Sequence, residues 1–289
     1  MKNPLILRDP AALQASALAW KRAGRRVGFV PTMGYLHAGH RALMEQARPQ
    51  ADVLVVSIFV NPLQFGPNED LGRYPRDFAR DEALCRDAGV DVIFYPEAAT
   101  LYAADHSVYV EETRLGQGLC GRARPGHFRG VTTVVAKLFN LVLPDFAVFG
   151  EKDAQQLRII RRMVRDLAFP VEIVSGPTVR EADGLAMSSR NAMLKPEERA
   201  QATVLRQALD EAERLHGAGE RSTHRLKAAM QAVLTRAPLA QVDYLEVVDD
   251  QTLEPVEAVD RPTLIALAVK FPSARLIDNT VLGRAPEAR

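Results

Sequence analysis

Five short apolar runs set most of what this chain can become: RVGFV (26–30), ADVLVVSIFV (51–60), VDVIFYP (90–96), DFAVFG (145–150) and VEIVS (171–175). Each is rich in Val, Ile or Phe and lacks a polar face, the pattern of strands covered on both sides. Between them, at 40–48, 77–88, 131–143 and 154–167, lie segments that read as helices. Strand, helix, strand in repetition predicts an α/β fold with a Rossmann-like, doubly wound parallel sheet. Sheets of this kind take ligands at the carboxyl ends of their strands. That rule singles out PTMGYLHAGH (31–40) after the first run, NPLQFGP (61–67) after the second and GEKDAQQ (150–156) after the fourth.

After Val174 the pattern changes. SGPTVREADGLAMSSRNAMLKPEE (175–198) is loop-like, punctuated by Gly and Pro. Helices are then expected over 196–216 and 222–235, followed by strands at VDYLEVVD (242–249), TLIALAVK (263–270) and RLIDNTVL (275–282). This predicts a second, smaller α+β domain, with the boundary between 176 and 190 and the domains at 1–180 and 181–289.

Charge narrows the possible partners. The chain has 289 residues, with 37 Lys and Arg against 36 Asp and Glu, a formal net charge of +1. A protein that lives on nucleic acid usually carries a basic surplus, so none is expected as a partner. The basic cluster RIIRRMVRDL (158–167) keeps Ile160, Val164 and Leu167, together with Leu157, at helical spacing, which makes its arginines a solvated helix face. No apolar run reaches the roughly 18 residues that span a bilayer, and the first residues lack an unbroken apolar stretch leading to a cleavage site. Cys85 and Cys120 are the two cysteines, too few for a disulfide framework or a paired-cysteine zinc site. A cytoplasmic protein is expected.

The histidines of PTMGYLHAGH admit more than one role. A zinc protease would need H-E-x-x-H, whereas His37 and His40 stand as H-x-x-H without the glutamate. A Walker loop is absent as well. What remains is a sharp turn off a buried strand, with Gly34 and Gly39 permitting close backbone approach and helix N–H groups exposed near His40. On this pattern alone the pair is either structural or a donor to a phosphate oxygen.

HAGH matches the H-x-G-H motif of the nucleotidyltransferase superfamily, and MSSR (187–190) resembles its second phosphate-binding loop. PTMGYLHAGH, VSIFVNPLQFGPNEDLGRYPRD, HFRGVTTVVAKLFNLVLPDFAVFGEKDAQQL and LAMSSRNAML together resemble the pantoate–β-alanine ligase family, and VDYLEVVD and ARLIDN extend the likeness across nearly the whole chain. Tyr35 and Ala38 fill variable positions, and MSSR lacks the lysines of the synthetase loop. The resemblance implies ATP-dependent joining of pantoate to β-alanine through a bound pantoyl adenylate, with Mg²⁺ held largely by phosphate oxygens and water. It assigns ATP to Met33, Gly34, Tyr35, Leu36, His37, Ala38, Gly39 and His40, with His40 as donor to the phosphates. It also assigns to the nucleotide Gly150, Glu151, Lys152 and Asp153, then Val179, and Met187, Ser188, Ser189 and Arg190. His37, His40, Lys152 and Arg190 are thereby the catalytic candidates, and Gln64, Gln156 and Asn61 the pantoate contacts. The resemblance further implies a homodimer; and because water would hydrolyse an adenylate, a lid over the site is expected, with the MSSR loop of the smaller domain as part of it. No protein ligand for Mg²⁺ follows from the sequence.

Overall fold

The computed structural model describes residues 2–67 and 69–284, so Asn68 of the second motif lies outside it. The chain opens with β1 (Leu5–Leu7), α1 (Pro10–Arg22), β2 (Val27–Thr32), α2 (Ala38–Ala47) and β3 (Val53–Ile58). It continues through α3 (Phe78–Asp87), β4 (Val92–Phe94), α4 (Ala98–Leu101), α5 (Leu119–Ala123), α6 (His127–Val142) and β5 (Phe146–Gly150). Then come α7 (Ala154–Asp166), β6 (Glu172–Gly176), α8 (Pro196–Ala202), α9 (Val204–Gly217), α10 (Thr223–Leu234), β7 (Gln241–Asp249), β8 (Thr263–Lys270) and β9 (Arg275–Leu282). Two compact units divide the chain: 1–114, 124–151 and 156–179 form the first, and 115–123, 152–155 and 180–289 the second.

The first unit is a six-stranded parallel sheet in the order β1-β4-β3-β2-β5-β6. β2 and β3 are buried almost throughout, because helices cover both faces. On one face Leu43 and Met44 of α2 and Cys85 of α3 pack with Val30, Val56, Ile93 and Val148. On the other, Phe139 of α6 meets Phe29 edge-on at 6.5 Å, and Gln14 of α1 donates to the carbonyl of Asn140. From β2 the chain steps outward to β3 and β4, and it later returns to place β5 on the other side of β2. That reversal opens a crevice where the carboxyl ends of β2 and β5 lie side by side.

Several expectations met different outcomes in detail. β1 and α1 have no counterpart among the predicted elements, although Asp9 caps the helix by accepting from the N–H groups of Ala11 and Ala12, and Pro10 follows it. The helix expected over 196–216 is two, parted at Thr203, where ψ opens to −16°. On α7, Leu157 and Ile160 are buried as the spacing demands, but Met163 is buried while Leu167 is exposed, and Arg158 lies in the buried face.

The second unit is a three-stranded antiparallel sheet, β7-β8-β9, whose central strand β8 is buried along seven of its eight residues. Leu205 and Leu209 of α9 and Leu226 and Met230 of α10 share a core with Ile265 and Leu267 of β8. No described helix is long and apolar enough to cross a membrane.

One glycine of the first unit fixes where the turn after β3 sits. A Cβ on Gly130 of α6 would stand 2.3 Å from the carbonyl oxygen of Leu63 and 2.6 Å from the nitrogen of Gln64, both main-chain atoms. Gly130→Ala is therefore expected to displace the 62–64 turn, at a cost of about 1–3 kcal/mol. A thermal melt should show a fall of several degrees, and a melting temperature equal to the wild type would show that the turn yields freely.

Candidate active site

The turn between β2 and α2 is held by side chains from outside it. Thr32 Oγ1 donates to the carbonyl of Ser57 at 2.7 Å and accepts from the N–H of Gly34 at 3.2 Å. Gly34 and Tyr35 both have positive φ, +84° and +49°, so a strained tyrosine follows a permissive glycine. Asp81 of α3, 1 % exposed, accepts from the N–H groups of Tyr35 at 2.8 Å and Leu36 at 2.6 Å. Burial raises the Asp81 carboxyl above the usual carboxylate range, against the opposing pull of those two N–H groups.

That turn sets up the two histidines. His37 is the N-cap of α2, and its Nδ1 accepts from the N–H of Gly39 at 3.1 Å. His40 reaches back, its Nδ1 accepting from the N–H of His37 at 3.3 Å. The rings lie 4.0 Å apart between centroids. Each Nδ1 is an acceptor, so each neutral ring carries its proton on Nε2. The result is two imidazole N–H donors at a helix N-terminus, a place whose N–H groups and dipole favour an anion.

Beside the turn, the segment after β3 folds into one helical turn at Pro62–Gln64. Asn61, 1 % exposed, caps it: Oδ1 accepts from the N–H of Leu63 at 3.3 Å, and Nδ2 donates to the carbonyl of Gly130 at 3.0 Å. Nδ2 also donates to Gln64 Oε1 at 3.1 Å, and Gln64 Nε2 donates to Met33 Sδ at 3.0 Å. Met33, Asn61 and Gln64 are thus brought together, with Asn61 spent on protein partners. The Gln64 main chain is fixed too, its carbonyl 2.8 Å from His127 Nδ1 and accepting from Arg124 at 3.2 Å. Arg124 is itself paired through Nε and a terminal nitrogen with Glu69 at 2.7 and 2.5 Å. Burial works against ionisation of Glu69, but the hydrogen bond and charge of Arg124 prevail and hold its carboxyl below the usual range. Gly150 ends β5 and Glu151 follows it, and Gln156 and Val179 belong to the same unit.

The remaining candidates lie in the second unit. Lys152 pairs with Asp153 at 3.9 Å, and its carbonyl accepts from Asn279 Nδ2 at 2.9 Å. Met187 precedes Ser188, whose Oγ accepts from the N–H of Arg190 at 3.2 Å and caps the short turn Ser189–Met193. The segment leading to that turn is pinned where Arg180 donates to both oxygens of Asp278, at 2.7 and 3.0 Å, with Asp278 only 2 % exposed. Two neighbours on β9 therefore tether both cation-bearing segments, Asp278 through Arg180 and Asn279 through Lys152.

Sequence reasoning did not single out Asp81, Tyr102, Arg124 or His127. Asp81 sits in a stretch with ordinary helical charge pattern, so nothing local marks it as buried. Asp81→Ala removes the acceptor of two main-chain N–H groups, and the buried one of Leu36 alone costs on the order of 1–3 kcal/mol. The melting temperature is expected to fall and amide exchange at Tyr35 and Leu36 to accelerate; protection unchanged at both amides would show that the turn holds without the carboxylate.

The family described as pantoate-beta-alanine ligase matches residues 5–281. A pantothenate synthetase of Thermotoga petrophila is 58% identical over 259 residues, 90% of this chain and 92% of that protein. The solved pantothenate synthetase of Thermus thermophilus superposes with a TM-score of 0.91 at 48% identity, covering 96% of this chain and 98% of its own. The pantoate-beta-alanine ligase of Francisella tularensis, solved in complex with beta-gamma ATP and beta-alanine, gives a TM-score of 0.80 at 30% identity over 96% of this chain and 97% of that one. With a family match spanning nearly all of its residues and relatives this similar along their whole length, the chain belongs to the pantoate–β-alanine ligase family.

Proposed function

We propose that this enzyme condenses pantoate with β-alanine at the expense of ATP, through a bound pantoyl adenylate, releasing pyrophosphate and AMP. The observation that carries the reading is the histidine pair, locked at a helix N-terminus with its donors on Nε2. In the first step a pantoate carboxylate oxygen bonds to the α-phosphorus of ATP, and the bond from that phosphorus to pyrophosphate breaks. Two anions meet there, so fixed donors aimed at the growing charge are required. His40, with His37 beside it, donates to phosphate oxygen, and Lys152 and Arg190 supply positive charge. Residues 33–40, 150–153, Val179 and 187–190 bind the nucleotide.

Gln64 and Gln156 hold pantoate. An amide offers donor and acceptor to hydroxyls and carboxylate without neutralising the nucleophile, as a lysine would. In the second step the β-alanine amine attacks the carbonyl carbon of the mixed anhydride, loses a proton, and AMP departs. Among the described residues, no group of three or more His, Cys, Asp or Glu is placed to hold a metal ion. Mg²⁺ enters with the ATP substrate, held largely by phosphate oxygens and water.

Adenylate formation first means that ATP–pyrophosphate exchange requires pantoate and proceeds without β-alanine. Exchange in the absence of pantoate, or an absolute need for β-alanine, would overturn the order of steps.

Single substitutions test the donors. His40→Ala and Lys152→Ala are each expected to slow adenylate formation by on the order of 10²–10³, while β-alanine attack on supplied pantoyl adenylate suffers less, because no pyrophosphate departs then. Quench-flow of the first half-reaction paired with a thermal melt checks this; normal adenylation in His40→Ala would reduce the histidine to a turn residue.

A further inference from the structure

The polar network around Gln64 has a direction. Asn61 is fixed by two main-chain groups of single polarity: the carbonyl of Gly130, which only accepts, takes its Nδ2, and the N–H of Leu63, which only donates, meets its Oδ1. An amide flip would set like against like at both places. With Asn61 fixed, its second Nδ2 hydrogen goes to Gln64 Oε1, which makes that oxygen the anchored end of the Gln64 carboxamide. The other end, Nε2, is left with the sulfur of Met33, a weak acceptor that an incoming oxygen displaces at little cost.

Tyr102 completes the chain. Its hydroxyl donates to Asn61 Oδ1 at 2.9 Å. The ring is seated by an edge contact to His106 at 5.0 Å and by the Lys137 ammonium 5.3 Å from its centroid. Lys137 in turn donates to the carbonyl of Leu101, the residue before Tyr102. Burial raises the phenol above its ordinary value, so it stays a donor across the working range of pH. A tyrosine on one loop, an asparagine capping another and the glutamine after it thus form one line of donors, each pointing the next.

We propose that Tyr102 is a positioning residue which, through Asn61, holds the Gln64 carboxamide with its NH₂ end toward substrate, so that the pocket selects an acceptor-rich acid such as pantoate. The proposal rests on the reading that Gln64 contacts pantoate. Tyr102 does not touch the reacting atoms; its hydroxyl adds a further hydrogen bond to the Asn61 amide that orders Gln64 and stiffens it in the orientation the main chain sets.

Tyr102→Phe keeps the ring and removes the hydroxyl. Loss of one net hydrogen bond is worth about a three- to tenfold rise in pantoate KM, with the ATP KM and the melting temperature unchanged. The discriminating measurement is a double-mutant cycle. In a Gln64→Ala background there is no carboxamide left to orient, so Tyr102→Phe should change pantoate KM by less than about twofold. A loosened loop acting by itself would multiply KM by the same factor in both backgrounds. Equal factors, an unchanged pantoate KM in Tyr102→Phe, or an ATP KM that rises as much would overturn the positioning role while leaving the pantoate pocket in place. Gln64→Ala with a wild-type pantoate KM would instead overturn the pocket assignment, and the positioning role with it.

Discussion

Two main-chain N–H groups, those of Tyr35 and Leu36, end on one buried carboxylate, Asp81, and the histidine turn takes its shape from that contact. A non-glycine residue at positive φ persists when its surroundings over-determine it, and Tyr35 is held by Asp81 on one side and by the guanidinium of Arg80 over its ring, 4.7 Å from the centroid, on the other. With the turn fixed, α2 starts at a set place, the N–H groups of Gly39 and His37 end on His37 and His40 respectively, and those contacts set the tautomer of both rings. A carboxylate on the next helix thus controls, at one remove, which ring nitrogen carries the proton.

The same device recurs around it. Asn61 orders the carboxamide of Gln64, and Arg124, itself locked by Glu69, holds the carbonyl of the same residue. In the second unit Asp278 and Asn279 do for Arg180 and Lys152 what Asp81 does for Tyr35 and Leu36. In each case a side chain fixes a main-chain group, an amide or a guanidinium that would otherwise be free to turn. Groups held before substrate arrives need no reorganisation as charge develops, which is where electrostatic catalysis draws its advantage.

The elements legible in the sequence were those with an unambiguous hydrophobic pattern. β2, β3 and β5 stand out because both faces are covered and, apart from the buried hydroxyls of Thr32 and Ser57, the runs are apolar. β7, β8 and β9 were readable from their length and branched residues. β1 has only three residues, at the sheet edge, too few for a period to register. α1 was signalled by Asp9 and Pro10, with Leu13 and Ala17 buried four apart, a cue that the alanines beside them diluted. On α7 the spacing assigned Leu167 to the core, but the helix ends at Asp166, and Met163 takes the buried position.

By itself the sequence determined the alternation of buried strands and helices, the order of the polar stretches that follow strands, and the residue types capable of phosphate and carboxylate chemistry. Those properties are local: period, turn composition and motif are written in neighbouring residues. Only the tertiary structure decided which way an amide faces, which nitrogen of an imidazole is protonated, and that Asp81, Tyr102 and Asp278 matter at all. Asp81 acts 45 residues from Leu36, Tyr102 acts 41 from Asn61, and Asp278 acts 98 from Arg180. Hydrogen-bond polarity depends on the partner that packing supplies, and no pattern along the chain names a partner so far away.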